Sequence, residues 1–235
     1  MTFGEFCDIV SHVRKDTYID YVNGLPDDMK EEAIENIARH FPLPKSPDPA
    51  LVKKMASKYN LYTNVLSMKL GQFIMLENAL KSDEAEYYMS NLIIRPLSEE
   101  SFDNEDQSRE EDILQQILSE DFIDVYSVIQ TMLLNREYIL FTKFSGVIYD
   151  KREEKEDEEE YEEFGDSDEI KHNSQWFWYK IVRTLANEDI TMYPKIYELK
   201  MSEVMVELSY RTQVAMIETA RARAEEARQR ALYRR

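Results

Sequence analysis

Apolar residues recur at helical spacing along most of the chain. Phe3, Phe6, Ile9, Val10 and Val13 predict an opening helix, started by the T-x-x-E capping box Thr2-Phe-Gly-Glu5. The turn dipeptide Asn23-Gly24 ends it. Pro26 then suits the first position of a second helix with Met29, Ala33, Ile34, Ile37 and Phe41 on one stripe. Four prolines in PLPKSPDP, residues 42–49, predict an extended connector. A weaker helical pattern runs from Ala50 to Leu66. MKLGQFIMLENAL, from Met68 to Leu80, then echoes the chain's opening, MKLGQF against MTFGEF, and predicts a second helix start of the same kind. Asp83 suits the cap of a helix that carries Tyr87, Tyr88, Leu92 and Ile93 and ends near Pro96.

The most apolar region is Ile113 to Tyr149. Ser119 reads there as the cap of a helix through Phe122, Tyr126, Ile129, Met132 and Leu133. Its end, TKFSGVIY, fits either a continued helix or a short strand. Ser174 reads as the cap of SQWFWYKIVRTLAN, whose four adjacent rings at 176–179 surround the helix and predict burial on more than one side. Asp189 and Thr191 suit the turn that follows, through side-chain to backbone hydrogen bonds, with Ile190, Ile196 and Leu199 folding back onto the core. Ser202 reads as the cap of a last helix that is apolar at Val204, Met205, Leu208 and Val214. Its stripe fades to alanines in TARARAEEARQRALYRR, so the second half is expected to project beyond the domain.

Composition supports that picture. Only 5 glycines and 7 prolines in 235 residues argue against a sandwich or barrel with many turns. The fold class read from the chain is all-α: one multi-helix domain, two acidic disordered loops and a projecting C-terminal helix. The parts are an N-terminal helical region 1–97, an acidic loop 98–112, central helices 113–149, a second acidic loop 150–173, a C-terminal helical region 174–211 and the Arg/Ala-rich helix 212–235. The net charge of −18 sits almost wholly in two runs: residues 99–112 carry −7 and residues 150–169 carry −10. Such runs repel themselves and predict solvated loops. Residues 211–235 carry +4.

Candidate chemistry changes the picture little. Cys7 is the single cysteine, so no disulfide can form within the chain, and it reads as a small core residue. His12, His40 and His172 lie in separate segments without metal-ligand spacing. No Walker A loop, GxGxxG or EF-hand spacing occurs. Acidic pairs abound, but a solvated run supplies no shifted pKa for acid–base work. No enzyme, cofactor or metal is implied. No segment has the length and apolarity of a membrane span, and the N-terminus lacks the pattern of a signal peptide. Eleven methionines serve either as core or as an adaptable helix-binding groove.

Three stretches carry a resemblance. They are Leu185-Ala-Asn-Glu-Asp-Ile-Thr, Lys195-Ile-Tyr-Glu-Leu and Ser202-Glu-Val-Met-Val-Glu-Leu-Ser-Tyr, joined by MKLGQFIMLEN and NLIIRPL. Together they resemble small virion-morphogenesis proteins of tailed bacteriophages, and are similar to tail-assembly (tape-measure) chaperones, in which a helix, a turn and a second helix follow one another. The resemblance covers about a quarter of the chain and excludes both acidic runs and the arginine tail. It implies a non-enzymatic assembly or structural protein acting in the host-cell cytoplasm or the virion. Its partners would be other phage structural proteins, such as a long helical tail protein, or copies of itself. The residues expected to meet a partner are Met201, Met205 and Leu208, with Arg221, Arg223, Arg228 and Arg230. The alternative is a head–tail connector or internal protein that meets nucleic acid through those arginines; nucleic acid is the less favoured partner.

Overall fold

The computed structural model describes residues 1–14, 24–26, 30, 43–98, 106–148 and 166–233. The second predicted helix, with Met29, Ala33, Ile34, Ile37 and Phe41, and the acidic residues 99–105 and 149–165 lie outside them. The described residues are mostly α-helical and fall into two units, Met1–Arg136 and Glu137–Arg235.

The first unit opens with α1, Phe3–Arg14. The capping box forms as expected: Thr2 N–H donates to Glu5 Oε2 at 2.8 Å, and Glu5 N–H donates to Thr2 Oγ1 at 3.3 Å. The N-terminal residues cross the turn between two later helices, with Phe3 N–H donating to the Glu120 carbonyl at 2.9 Å. A Cβ on Gly4 would lie 3.4 Å from Leu118, in ordinary van der Waals contact. The connector delivers Asp48 as the cap of α2, Pro49–Ala56, with proline at its first position.

The weak pattern after Ala50 is not one helix. α2 ends at Ala56, and β1, Tyr59–Leu61, pairs antiparallel with β2, Ile94–Pro96, opposing Tyr59 to Pro96, Asn60 to Arg95 and Leu61 to Ile94. Between them lie α3, Leu70–Ala79, and α4, Ala85–Ile93. The echo of the opening holds in register: Phe3-Gly-Glu-Phe6 and Leu70-Gly-Gln-Phe73 each begin a helix, with Phe3, Phe6, Leu70 and Phe73 all fully buried. The polar position differs. Glu5 caps its own helix, whereas Gln72 turns inward and donates to the Leu92 carbonyl at 2.7 Å, joining α3 to α4. Asp83 is not the cap of α4; Glu84 holds that position without a side-chain bond.

α5 spans Gln107–Leu118 and α6 spans Phe122–Glu137. α5 therefore begins inside the run expected to be a loop through residue 112. Asp106 caps it by accepting from Arg109 N–H at 3.2 Å, and acids are favoured at a helix N-terminus by its dipole. Ser119 ends α5, its hydroxyl bonded to the Gln116 carbonyl, while Asp121 accepts from Ile123 N–H at the start of α6. Phe6, Phe122 and Tyr126 form one aromatic cluster, the first two stacked at 4.3 Å.

In the second unit the described part of TKFSGVIY, residues 142–148, is helical apart from a bend at Phe144. A π-helical stretch, Tyr138–Lys143, leads to α7, Ser145–Ile148. α8, Asp166–Leu185, begins before Ser174, so Ser174 lies inside it and residues 166–173 are helix rather than loop. It ends in a Schellman turn: Glu188 N–H donates to Arg183 and Asn187 N–H to Thr184, with Asn187 and Glu188 left-handed at φ 50° and 66°. Asp189 accepts from Thr191 N–H at 2.9 Å, as read from the sequence, and starts a 3₁₀ turn, Ile190–Met192, before α9, Tyr193–Tyr197. The last helix, α10, spans Met201–Tyr233. Its start is held by Glu203, which accepts from Lys200 N–H at 2.9 Å, rather than by Ser202.

Candidate functional site

The side chains that fix α10 to its own unit lie in its first turns. Met201, Val204 and Met205 are fully buried. Arg211 extends the attachment by donating to the Thr184 carbonyl at 2.8 Å. Met201 and Met205, expected to meet a partner, are thus core residues of this unit, and Leu208 is only half exposed.

The open side carries large apolar groups. Val206 is 66% exposed, Tyr210 63% and Ile217 52%, and Met216 lies beside them. From Ala215 to Arg230 every residue except Thr219 is exposed, and Arg221, Arg223, Arg228 and Arg230 all reach solvent. Glu225 and Glu226 pair along the helix with Arg228 and Arg230 at 4.0 and 3.7 Å. A helix exposed on all sides relies on such pairs and on alanine propensity rather than on packing.

The expected burial around the four rings of α8 does not hold. Trp176 and Tyr179 are each 42% exposed, and Ile190 is 70% exposed. Their rings pack on one another instead: Trp176 meets Tyr179 edge-on at 5.5 Å, Phe177 meets Trp178 at 5.1 Å, and Tyr179 meets Tyr193 at 6.0 Å. Adjacent rings satisfy each other when the neighbouring elements are too short to cover them. Val182, Ala186 and Ile196 are the buried residues of this corner.

The first unit offers a cleft of about 570 Å³ lined by Met75, Tyr87, Tyr88, Asn91, Leu92 and Leu114 among others. Its polar groups are amides, hydroxyls and phenols. Burial, followed by the neighbouring Tyr88, raises the Tyr87 phenol above its ordinary range.

Among the described residues, four pairs of ionised groups join elements of this unit. Arg95 is fully buried and grips Glu110 with both terminal nitrogens, at 2.5 and 2.7 Å, while Nη1 also reaches the Asn91 carbonyl. Lys54 pairs with the buried Asp124, and Arg136 with Glu77. Glu120 accepts from Lys58 at 2.7 Å and from Tyr59 Oη at 2.9 Å. Burial opposes its ionised form, but the bonds from Lys58 and Tyr59 outweigh this and lower its pKa. Burial and the bond to Glu120 push Tyr59 up to about 12. Glu120 stays charged and Tyr59 stays protonated around neutrality, so this pair exchanges no proton there.

Among the described residues no group of three or more His, Cys, Asp or Glu is placed to hold a metal ion. Cys7 is half-buried in α1, and His172 lies within α8. No described helix is long and apolar enough to cross a membrane.

The chain matches no protein-family model, no curated protein and no solved structure.

Proposed function

We propose that this chain is a non-enzymatic assembly protein that binds other proteins through helical surfaces. The observation that carries the reading is the open apolar face of α10, with Val206, Tyr210 and Ile217 each more than half exposed along a helix anchored at one end. Contiguous apolar exposure of this kind marks interaction surfaces. The tailed-phage setting rests only on the resemblance of the Leu185–Tyr210 stretch, MKLGQFIMLEN and NLIIRPL. On that reading the chain acts like a tail-assembly chaperone in the host cytoplasm, with a long helical tail protein as partner. The second reading, a connector that touches nucleic acid, draws on the four exposed arginines of the same helix.

Light scattering on a size-exclusion column separates the two, comparing the full chain with one lacking residues 212–235. The chaperone-like reading expects a monomer or dimer in both. A discrete ring that collapses on truncation overturns it in favour of the connector.

A further inference from the structure

The exposed face of α10 has a finer order than its apolarity. Val206, Tyr210, Gln213, Ile217, Ala220, Ala224 and Ala227 follow one another at alternating steps of four and three. That is the seam of a coiled coil, with Tyr210, Ile217 and Ala224 at a positions and the others at d. All seven are exposed. The positions flanking the later seam, e and g, are Arg221, Arg228, Arg223 and Arg230. The acids Glu218, Glu225 and Glu226 fall at b and c, away from the seam. From Ile217 onward both borders of the seam are therefore basic and the carboxylates of that part face elsewhere, while Glu207 lies at an e position at the seam's start. Arg221 and Arg223 form no ion pair among the described residues.

We infer that this seam docks an acidic amphipathic helix of another protein, whose own apolar stripe is bordered by Glu or Asp. The inference rests on the helix-binding reading above and names the chemistry of the partner. Charge decides against a second copy. In a parallel pair each g residue faces the e residue of the next heptad, setting Arg223 against Arg228; an antiparallel pair sets arginine against arginine as well. The alanines at Ala220, Ala224 and Ala227 leave room for close approach, near the short end of the roughly 8–10 Å range of helix spacings. Close approach brings the flanking guanidinium groups within reach of carboxylates on the partner. A straight row of phosphates would use the arginines but leave Tyr210 and Ile217 in water.

The test uses the full chain and a synthetic four-heptad peptide with Leu and Ala on its seam and Glu at every e and g position. Fluorescence anisotropy follows binding, and circular dichroism follows the gain in helix. The Glu peptide is expected to bind at least about tenfold more tightly than the same peptide carrying Lys at e and g. Replacing the four arginines together (R221E, R223E, R228E, R230E) is expected to reverse that preference. Ile217→Asp is expected to weaken binding with the arginines intact, which separates seam docking from bare charge attraction. These residues are exposed, and unchanged circular dichroism of the free variants checks that they fold. Equal binding of both peptides, or no binding of the Glu peptide, overturns the inference. So does binding of a 30-base-pair DNA duplex that survives Ile217→Asp while the peptide does not compete, or a dimer that Ile217→Asp dissolves. If the seam fails while sizing still gives a monomer or dimer, the partner-binding reading stands and only this assignment falls.

Discussion

Arg95 and Glu110 show what a single pair of side chains does for the first unit. They tie β2 to α5 with both charges out of water. Removing one partner leaves the other charged and buried, so Glu110→Gln or Arg95→Met is expected to cost about 3–5 kcal/mol in urea unfolding, while the double change recovers part of it. Glu120 gives a pH signature. Its pKa is lowered by folding, so its contribution is present above the ordinary carboxylate pKa and is lost as pH falls through the folded value. The stability gap between wild type and Glu120→Gln should therefore be full at neutrality and close in acid. Tyr59 acts at the other end. Raised to about 12, it contributes below the ordinary phenol pKa and loses that contribution as pH rises through about 12, so Tyr59→Phe should narrow the alkaline gap. None of these pairings was legible in the sequence, because Arg95 and Glu110 or Lys58 and Glu120 come together only through tertiary packing.

At the scale of elements, local chemistry was readable at some self-contained turns and not at others: Asp83, Ser119, Ser174 and Ser202 do not cap the helices assigned to them. The Thr2–Glu5 box and the Asp189–Thr191 turn need only neighbouring residues, and both form. The three-residue strands β1 and β2 are too short for a periodic signal, and pairing across more than 30 intervening residues decided them. The start of α5 was hidden for another reason: acids that repel as a run are favoured at a helix N-terminus. The end of α8 offers a test. Glu188 at φ 66° holds a conformation that glycine adopts without strain. Glu188→Gly is expected to raise stability by up to about 1 kcal/mol, since the ion pair it loses to Arg183 is exposed and contributes little. A higher urea midpoint checks it; a lower one would show that the side chain does more than tolerate the turn.

For the whole molecule, the mostly helical class was evident from spacing and from the scarcity of glycine and proline, while the division at Arg136 and Glu137 was not. That boundary interrupts no helical pattern, since the π-helical stretch follows α6 directly. The candidate surface was half legible. Its arginines stand out in the sequence, whereas Met201 and Met205 are buried at the start of α10, and the alanines read as a fading stripe rather than as a seam. Residues beyond Arg211 make little use of the unit that anchors them. Removing residues 212–235 should leave the free energy of unfolding in urea within about 0.5 kcal/mol of the full chain. A larger loss would mean that the exposed half of α10 is held by something other than its own turns.

Gln213 sits alone among apolar and small residues on the open face of α10. A polar side chain at a buried seam position accepts only an alignment that gives it a partner, and sliding by one heptad shifts the docked helix by roughly 10 Å. A helix bound across that face would be held at one axial setting, and α10 would act as a ruler that fixes where along a longer chain the protein sits.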